Sequence, residues 1–228
     1  MSNLSPINKR ISFILKVIVI VSALLGTFLS AYAGMRSFMG GSRVFMYFTI
    51  QSNIAVAIIS AIGFNYLIKE KAPGLVWQTI KFVGTVSITL TGMVFCFILA
   101  PTLGEHAWNI QNILTHVVVP IASIADFFSV SKVINLAKKN VIYVIIPPIL
   151  YAIYAGIGYA QGWQFADGIN YPYFFLNWGS NAGAIGFTNE LPYMGTIWWI
   201  LVLLLFLIVV GLIYLLLVDL LNKHRTNR

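Results

Sequence analysis

Long apolar stretches separated by short polar connections make up most of the chain. Six stretches stay apolar over the length of a helix, at about 11–33, 44–68, 76–100, 110–134, 141–160 and 194–219. A helix needs roughly 20 residues to cross about 30 Å of hydrocarbon. The pattern therefore predicts an all-α fold, in which residues 1–228 form a single polytopic membrane domain, a bundle of six transmembrane helices.

Two of these stretches carry additional signals. The first follows Lys9-Arg10 and ends in Ala31-Tyr32-Ala33, which resembles a signal-peptide cleavage site. Its apolar run is longer than a usual signal core, so we expect it to be retained as the first span. The fifth stretch contains Pro147-Pro148, which predicts a kink that neighbouring helices can tolerate within a membrane.

One connection, the long outer loop 161–193, differs from the others because it is rich in aromatic residues and glycine rather than in charge. Long connections without regular structure of their own are often functional. Two interpretations remain open. The loop dips into the interface or covers a cavity, or it is a simple interfacial anchor that uses its aromatic side chains, namely Trp163, Tyr171, Tyr173 and Trp178.

Composition excludes a soluble domain. Hydrophobic residues make up 59% of the 228 residues, charged residues only 9%, and the mean hydropathy is +0.88, whereas the surface of a soluble domain needs far more charge. The single cysteine, Cys96, excludes an intramolecular disulfide.

The distribution of lysine and arginine predicts the orientation. With both termini cytoplasmic, twelve basic residues lie inside, namely Lys9, Arg10, Lys16, Lys69, Lys71, Lys81, Lys132, Lys138, Lys139, Lys223, Arg225 and Arg228, and two lie outside, Arg36 and Arg43. Anionic lipid of the inner leaflet then accounts for the net charge of +8, without a nucleic-acid partner. Lys16 and Lys81 lie near cytoplasmic span ends, so we expect their ammonium groups to reach the interface.

Ionisable residues within spans are functional candidates because burying them is costly, and two remain, His116 and Asp126, both in the fourth span. His116 lies six residues into that span from Ile110, and Thr49 lies six residues beyond Arg43 in the second span. Both spans enter from the outer side. Each residue is therefore roughly 9 Å deep along its helix, which predicts that Thr49 and His116 meet, nearer to the outer leaflet.

A threonine beside a histidine has the chemistry of a nucleophile and a base. A hydroxyl becomes a useful nucleophile when a neighbouring base takes its proton, and imidazole suits that role. Asn112, four residues before His116, is expected to orient the ring. Asn53, four residues after Thr49, could donate to a developing oxyanion, and Ser52 is a rival nucleophile.

Other interpretations stay open at this point. A threonine in a span often bonds back to its own helix, and a buried histidine can be a structural hydrogen-bonding group or a proton relay. A metal site is disfavoured because the chain has only His106, His116 and His224, without the spacing of a ligand motif.

Three motifs carry a family resemblance, FTIQSN in the second span, LTHVVVPIASIAD in the fourth and YPYFFLNWG before the last. They resemble the androgen-induced protein / androgen-dependent TFPI-regulating protein family, of which bacteria carry six-span relatives. The resemblance implies a membrane threonine hydrolase that cleaves fatty acid esters of hydroxy fatty acids without a metal or other cofactor. Matching the motifs carries the catalytic roles to Thr49 and His116, and implies a bacterial cell membrane as the location.

The sequence thus predicts a hydrolase of lipid esters that works through a threonyl acyl-enzyme, with His116 as general base and then acid, and with membrane lipids and a lipid ester as its partners. A membrane transporter or proton relay that uses His116 and Asp126 is the first alternative. A non-enzymatic lipid-binding protein is the second.

Overall fold

Six long helices account for most of the molecule. The computed structural model describes residues 1, 4–35 and 41–226, the side chains of residues 106 and 224–226 excepted. Within this part of the chain there is no strand, and the helices are α1 Pro6–Gly34, α2 Phe48–Ile68, α3 Leu75–Leu103, α4 Ile110–Ser129, α5 Lys138–Ala160 and α6 Thr196–Thr226. All six are long and apolar enough to cross a membrane, which confirms the predicted all-α class.

The orientation remains a prediction, and some residues on which it rests, Arg36 and Arg228, lie outside the described part of the chain, as do the side chains of His106, His224 and Arg225. The two ends of the bundle are nevertheless distinct. At one end, here called the loop end, α2 begins, α3 gives way to α4, and the connection 161–195 lies. At the opposite end, the amino group of Met1 donates to the Lys71 carbonyl oxygen at 2.8 Å.

Several helix boundaries differ from the predicted spans for local reasons. Helix α1 begins at Pro6, in the first turn where proline is tolerated, and the Ser5 side chain caps it by accepting from the Asn8 amide. Helix α5 begins as a 3₁₀ helix over Lys138–Ile145. The prolines at 147 and 148 then lie in the first turn of its α-helical part, Ile146–Ala160. The prolines therefore lie where the 3₁₀ helix changes to an α-helix within the span, and the expected kink stays a prediction.

Helices α3 and α4 each contain one π-helical turn placed just before a proline. The turns are Phe95–Leu99, followed by Pro101, and Leu114–Val118, followed by Pro120. A proline within a helix lacks the amide that would bond to the carbonyl four residues earlier, and its ring crowds that carbonyl. For Pro120 this carbonyl belongs to His116, and the wider π turn accommodates it.

Close packing brings α3 against this turn. A Cβ added at Gly92 would lie only 2.9 Å from the His116 carbonyl oxygen, so glycine is required for the approach of the two backbones. Two buried clusters fill the bundle. One joins α1 to α4 through Val19, Ala57, Ile88 and Val119, and the other includes Phe82, Phe127, Leu207 and Tyr214.

The connection 161–195 packs into the loop end. Phe165, Phe175 and Leu176 are buried against Tyr151 and Ala155 of α5. An ion pair between Arg43 and Asp167 joins the connection to the segment before α2. The interpretation that this loop covers part of the bundle is therefore favoured over a simple interfacial anchor.

Candidate active site

Thr49 and His116 lie in direct contact at the loop end. Thr49 is the second residue of α2, and His116 lies within the π turn of α4. Thr49 Oγ1 is 3.2 Å from His116 Nε2, a hydrogen-bond distance. The meeting predicted from equal depth is confirmed, while the catalytic roles of the two residues remain predictions.

The partners of the other ring nitrogen determine the state of the imidazole. His116 Nδ1 lies 3.1 Å from the Asn112 carbonyl oxygen and 3.0 Å from Thr115 Oγ1. A carbonyl only accepts, and the Thr115 hydroxyl already donates to the Gln111 carbonyl at 2.8 Å. These partners assign the proton of the neutral ring to Nδ1. The lone pair of Nε2 therefore faces the Thr49 hydroxyl, as a general base requires.

Asn112 orients the ring, as expected, but by a different atom. Its backbone carbonyl accepts from the imidazole, whereas its side-chain amide donates to the Ala107 carbonyl at 2.8 Å. Phe95, in the π turn of α3, stacks on the imidazole with ring centroids 3.8 Å apart and planes 18° apart. Neither Phe95 nor Thr115 was predicted from the sequence, because the π turns alter which residues face the site.

Asn53 bonds to two backbone carbonyls at the site. Its Nδ2 donates to the Thr49 carbonyl at 2.8 Å and to the Thr115 carbonyl at 3.1 Å. Both amide hydrogens are used in this arrangement, which favours a positioning role over the predicted donation to an oxyanion. Asn53 instead links the backbone of Thr49 to the residue before His116, which fixes the distance between the two helices at the site.

Ser52, the rival nucleophile, faces away from the base. Its Oγ donates to the Thr49 carbonyl at 3.0 Å and lies 2.8 Å from Thr91 Oγ1. Its recorded partners do not include His116, so no base is in place to accept its proton. Ser52 therefore helps Asn53 to hold the first turn of α2.

Tyr173 reaches the site from the connection 161–195. Its hydroxyl oxygen accepts from the Thr49 amide at 3.3 Å and lies 3.4 Å from Thr49 Oγ1. Burial raises the pKa of Tyr173, so the phenol keeps its proton near neutral pH. The sequence named Tyr173 only as one of four aromatic residues that could anchor the loop, because nothing in YPYFF distinguishes the tyrosine that enters the bundle.

Two cavities adjoin the pair. One, here called the His116 cavity, has a volume of about 320 Å³ and is lined by Thr49, His116, Tyr173, Tyr47 and Asn112 among others. The second, here called the apolar cavity, has about 60 Å³ between α3, α5 and α6, and Thr49 and Tyr173 line it as well. Thr49 thus lines two cavities that are both formed mainly by apolar side chains, of which the His116 cavity also contains the imidazole.

A third space, the lateral groove, runs between α2, α3 and α5 with a volume of about 590 Å³. Phe48 and Tyr151 line both this groove and the apolar cavity, and their rings are in edge contact at 5.2 Å. Ile80, Tyr143 and Leu150 line the groove while remaining substantially exposed. The groove therefore opens on the outer surface of the bundle, where a membrane protein meets lipid.

Asp126 belongs to a separate group, here called the buried charge cluster, formed by Ser12, Lys16, Lys81 and Asp126. Lys16 Nζ lies 2.6 Å from each carboxylate oxygen, Ser12 Oγ donates at 2.6 Å, and Lys81 also pairs with Asp126. Lys16 and Lys81 are only 0% and 3% exposed, so the expectation that they reach the interface was wrong. The carboxylate binds both ammonium groups inside the bundle instead.

The recorded bonds of the Asp126 carboxylate go to α1 and α3 and not to His116. Within the described part of the chain, no direct hydrogen bond joins the His116 ring to the Asp126 carboxylate. Among the residues that the structure describes, no group of three histidine, cysteine or acidic side chains is placed to hold a metal ion.

Comparison of the chain with models of protein families, with curated proteins and with solved structures finds no match. The family resemblance therefore rests on the three sequence motifs alone, and a function has to be argued from the site.

Proposed function

We propose that the protein is a membrane-embedded threonine hydrolase that cleaves lipid esters through a threonyl acyl-enzyme. The observation that carries this proposal is the 3.2 Å contact between Thr49 Oγ1 and His116 Nε2, with the ring proton on Nδ1. A hydroxyl beside an oriented imidazole lone pair is the arrangement of an activated nucleophile. The imidazole is held on its other side by the Asn112 carbonyl, as the orienting group of a catalytic triad would hold it.

In the first half of the reaction, Thr49 Oγ1 attacks the ester carbonyl carbon as His116 Nε2 takes the hydroxyl proton. A bond forms between Oγ1 and carbon, and the π electron pair moves onto the carbonyl oxygen. When this tetrahedral intermediate collapses, the carbonyl re-forms and the bond to the alcohol oxygen breaks. The leaving alcohol takes the proton from Nε2, so that a threonyl ester and a neutral histidine remain.

In the second half, water attacks the threonyl ester with His116 again as base. The second tetrahedral intermediate expels Thr49 Oγ1, which recovers its proton from Nε2, and a fatty acid is released. Two protons move onto and off the same nitrogen in one cycle. The reaction therefore needs no group beyond the pair, water and a donor for the oxyanion.

The cavities support a lipid as the substrate. An ester carbonyl beside Thr49 would place its acyl chain in the apolar cavity and its alcohol portion in the His116 cavity. The apolar cavity is small, about 60 Å³, so a long chain would continue between Phe48 and Tyr151 into the lateral groove. That groove offers an entrance from the bilayer, since apolar substrates are dissolved there and not in water.

The motif resemblance implies fatty acid esters of hydroxy fatty acids as substrates. These lipids fit the two cavities beside Thr49 because both sides of their ester bond are long and apolar. The positive-inside pattern supports a site nearer to the outer leaflet of what we propose to be a bacterial cell membrane. Membrane lipids are then both the surroundings and the source of the substrate.

The proposal is tested on protein purified in detergent. Wild type, Thr49→Ala and Ser52→Ala are compared for labelling by a fluorophosphonate and for hydrolysis of a synthetic lipid ester. Labelling and turnover are expected in wild type and Ser52→Ala and are expected to be lost in Thr49→Ala. Equal labelling and turnover in all three proteins would overturn the proposal.

A further inference from the structure

We propose that Tyr173 is a further catalytic residue, whose hydroxyl donates the hydrogen bond that stabilises the oxyanion of both tetrahedral intermediates. This inference rests on the proposed function, since it names the missing partner of the Thr49–His116 pair. A donor is required because the carbonyl oxygen gains a full negative charge in a water-poor site. Removing one such donor typically costs about 10²–10³ in kcat.

The hydrogen bonds of the phenol leave one hydrogen for this purpose. Tyr173 Oη accepts from the Thr49 amide at 3.3 Å and also interacts with the Tyr151 hydroxyl, and neither contact with a neutral group prevents its own hydrogen from turning to an oxyanion. The distance of 3.4 Å from Oη to Thr49 Oγ1 is a long contact. The hydroxyl is thus near the attacking atom but weakly engaged with it, and an oxygen bonded to the same carbon as Oγ1 comes within its reach.

Most other side-chain donors at the site already have acceptors. The Asn53 amide donates to two carbonyls, and the Asn112 amide, which lines only the His116 cavity, gives one of its two hydrogens to Ala107. The hydroxyls of Tyr47 and Tyr151 donate to the carbonyls of Phe165 and Met46 at 3.2 Å and 3.1 Å. Among the residues that the structure describes, Thr49 and Tyr173 are the two with a hydroxyl group that line both the His116 cavity and the apolar cavity.

The electrostatic setting favours donation by the phenol. The Thr49 amide that donates to Tyr173 belongs to the first turn of α2, where the helix dipole presents positive charge. This hydrogen bond polarises the O–H bond of Tyr173 and makes the phenol a stronger donor. Burial keeps the phenol protonated by raising its pKa. A protonated phenol near a helix N-terminus is suited to a negative charge that appears only during the reaction.

The ring is held in place before any substrate binds. It stacks on Phe175 with centroids 5.1 Å apart and planes 7° apart, and it meets the Tyr47 ring edge-on at 5.7 Å. An oxyanion donor is most effective when it needs no rearrangement at the moment of reaction. The connection 161–195 therefore supplies a fixed catalytic group as well as covering the site.

The test compares Tyr173→Phe with Tyr171→Phe, a control that removes a hydroxyl from the same loop. For each purified protein, kcat and KM are measured with the lipid ester. The inhibition constants of a lipid trifluoromethyl ketone, which forms a tetrahedral adduct with the nucleophile, and of the corresponding non-hydrolysable ether are also measured. Thermal unfolding in detergent shows whether each variant is folded.

We expect kcat of Tyr173→Phe to fall about 10²-fold or more, with KM within about threefold. Affinity for the ketone should fall in parallel while affinity for the ether is kept, because only the adduct carries an oxyanion. Tyr171→Phe should match wild type. An unchanged kcat in folded Tyr173→Phe, or equal losses of ketone and ether affinity, would overturn the role of Tyr173 while leaving the hydrolase intact. Equal activity of wild type and Thr49→Ala would overturn both proposals.

Discussion

Polar groups inside the apolar bundle have different surroundings at the loop end and in the buried charge cluster. In the cluster, the Asp126 carboxylate accepts from Ser12, Lys16 and Lys81, and none of these residues lines any of the three spaces described above. At the loop end, Nε2 of His116 and the hydroxyls of Thr49 and Tyr173 adjoin two cavities. A polar group whose hydrogen bonds are all formed within the protein stabilises the packing. A polar group that lies beside a cavity and can still form a hydrogen bond can act on a ligand.

The contrast also concerns charge. Two ammonium groups and one carboxylate give the cluster ionic bonds that hold α1, α3 and α4 together. The site at the loop end is built from neutral groups, so it can admit an apolar ester without first displacing a charge. Each half of this comparison predicts how the protein should respond to substitution.

The largest effect is expected for Asp126→Ala. Two buried lysines would lose their counter-charge, and breaking one partner of a buried ion pair costs about 3–5 kcal/mol. The variant should yield little monodisperse protein in size-exclusion chromatography and should unfold at a much lower temperature than wild type. Asp219→Ala is the matched control, because that residue is not part of the cluster, and it should resemble wild type. Wild-type stability of Asp126→Ala would show that the cluster is not structural.

His116→Gln should affect turnover rather than folding. General base catalysis by a positioned side chain contributes about 10²–10⁴-fold, so kcat for the lipid ester should fall by that factor. The unfolding temperature should change far less than in Asp126→Ala. Steady-state hydrolysis and thermal unfolding measured on the same preparation separate the two effects. A variant that keeps wild-type kcat would exclude histidine as the base.

Asn53→Leu should produce an intermediate effect. The change removes two hydrogen bonds to the Thr49 and Thr115 carbonyls, and a lost bond that leaves a buried acceptor costs about 1–3 kcal/mol. Stability should fall by that amount, and kcat should fall as the first turn of α2 loosens. Asn65→Leu, on the exposed face of the same helix, serves as the control. Full activity with normal stability would mean that Asn53 does not position Thr49.

Thr49→Ser is expected to have the smallest effect. Serine keeps the oxygen that faces Nε2 and loses only the methyl group that restricts rotation of the side chain. Turnover should stay within about tenfold of wild type, because the base is kept and can still activate the hydroxyl. Fluorophosphonate labelling and ester hydrolysis measure it directly. Complete loss of activity in this variant would argue that the hydroxyl is not the nucleophile.

The contact between Thr49 and His116 was predicted from equal depth along two spans, and the structure confirms the contact but not that reason. Thr49 is the second residue of α2, whereas His116 is the seventh residue of α4. The segment before Thr49 is a 3₁₀ turn over Arg43–Met46 followed by the extended residue Tyr47, so it does not rise as an α-helix. The six helices, in contrast, followed directly from apolar length, a property that a single helix has on its own.

The expectations that failed concern which groups on neighbouring helices a side chain binds. The sequence correctly placed Asn53 near Thr49, but it could not reveal that two backbone carbonyls would take both amide hydrogens. It likewise could not show that Lys16 and Lys81 face a common carboxylate rather than the interface. Tyr173 was missed for a further reason, because the path of a long connection depends on the tertiary packing that receives it.

The π turn at residues 114–118 has a consequence for the whole of α4. A π turn adds the equivalent of one inserted residue to an α-helix, which shifts everything beyond it by about 100° around the axis. His116 lies within the turn and Asp126 beyond it. The turn thus sets the rotational phase between the reactive pair and the ionic cluster. Side chains on the two sides of the π turn therefore face different parts of the bundle. Restoring a regular α-helix would turn either His116 or Asp126 away from its present partners.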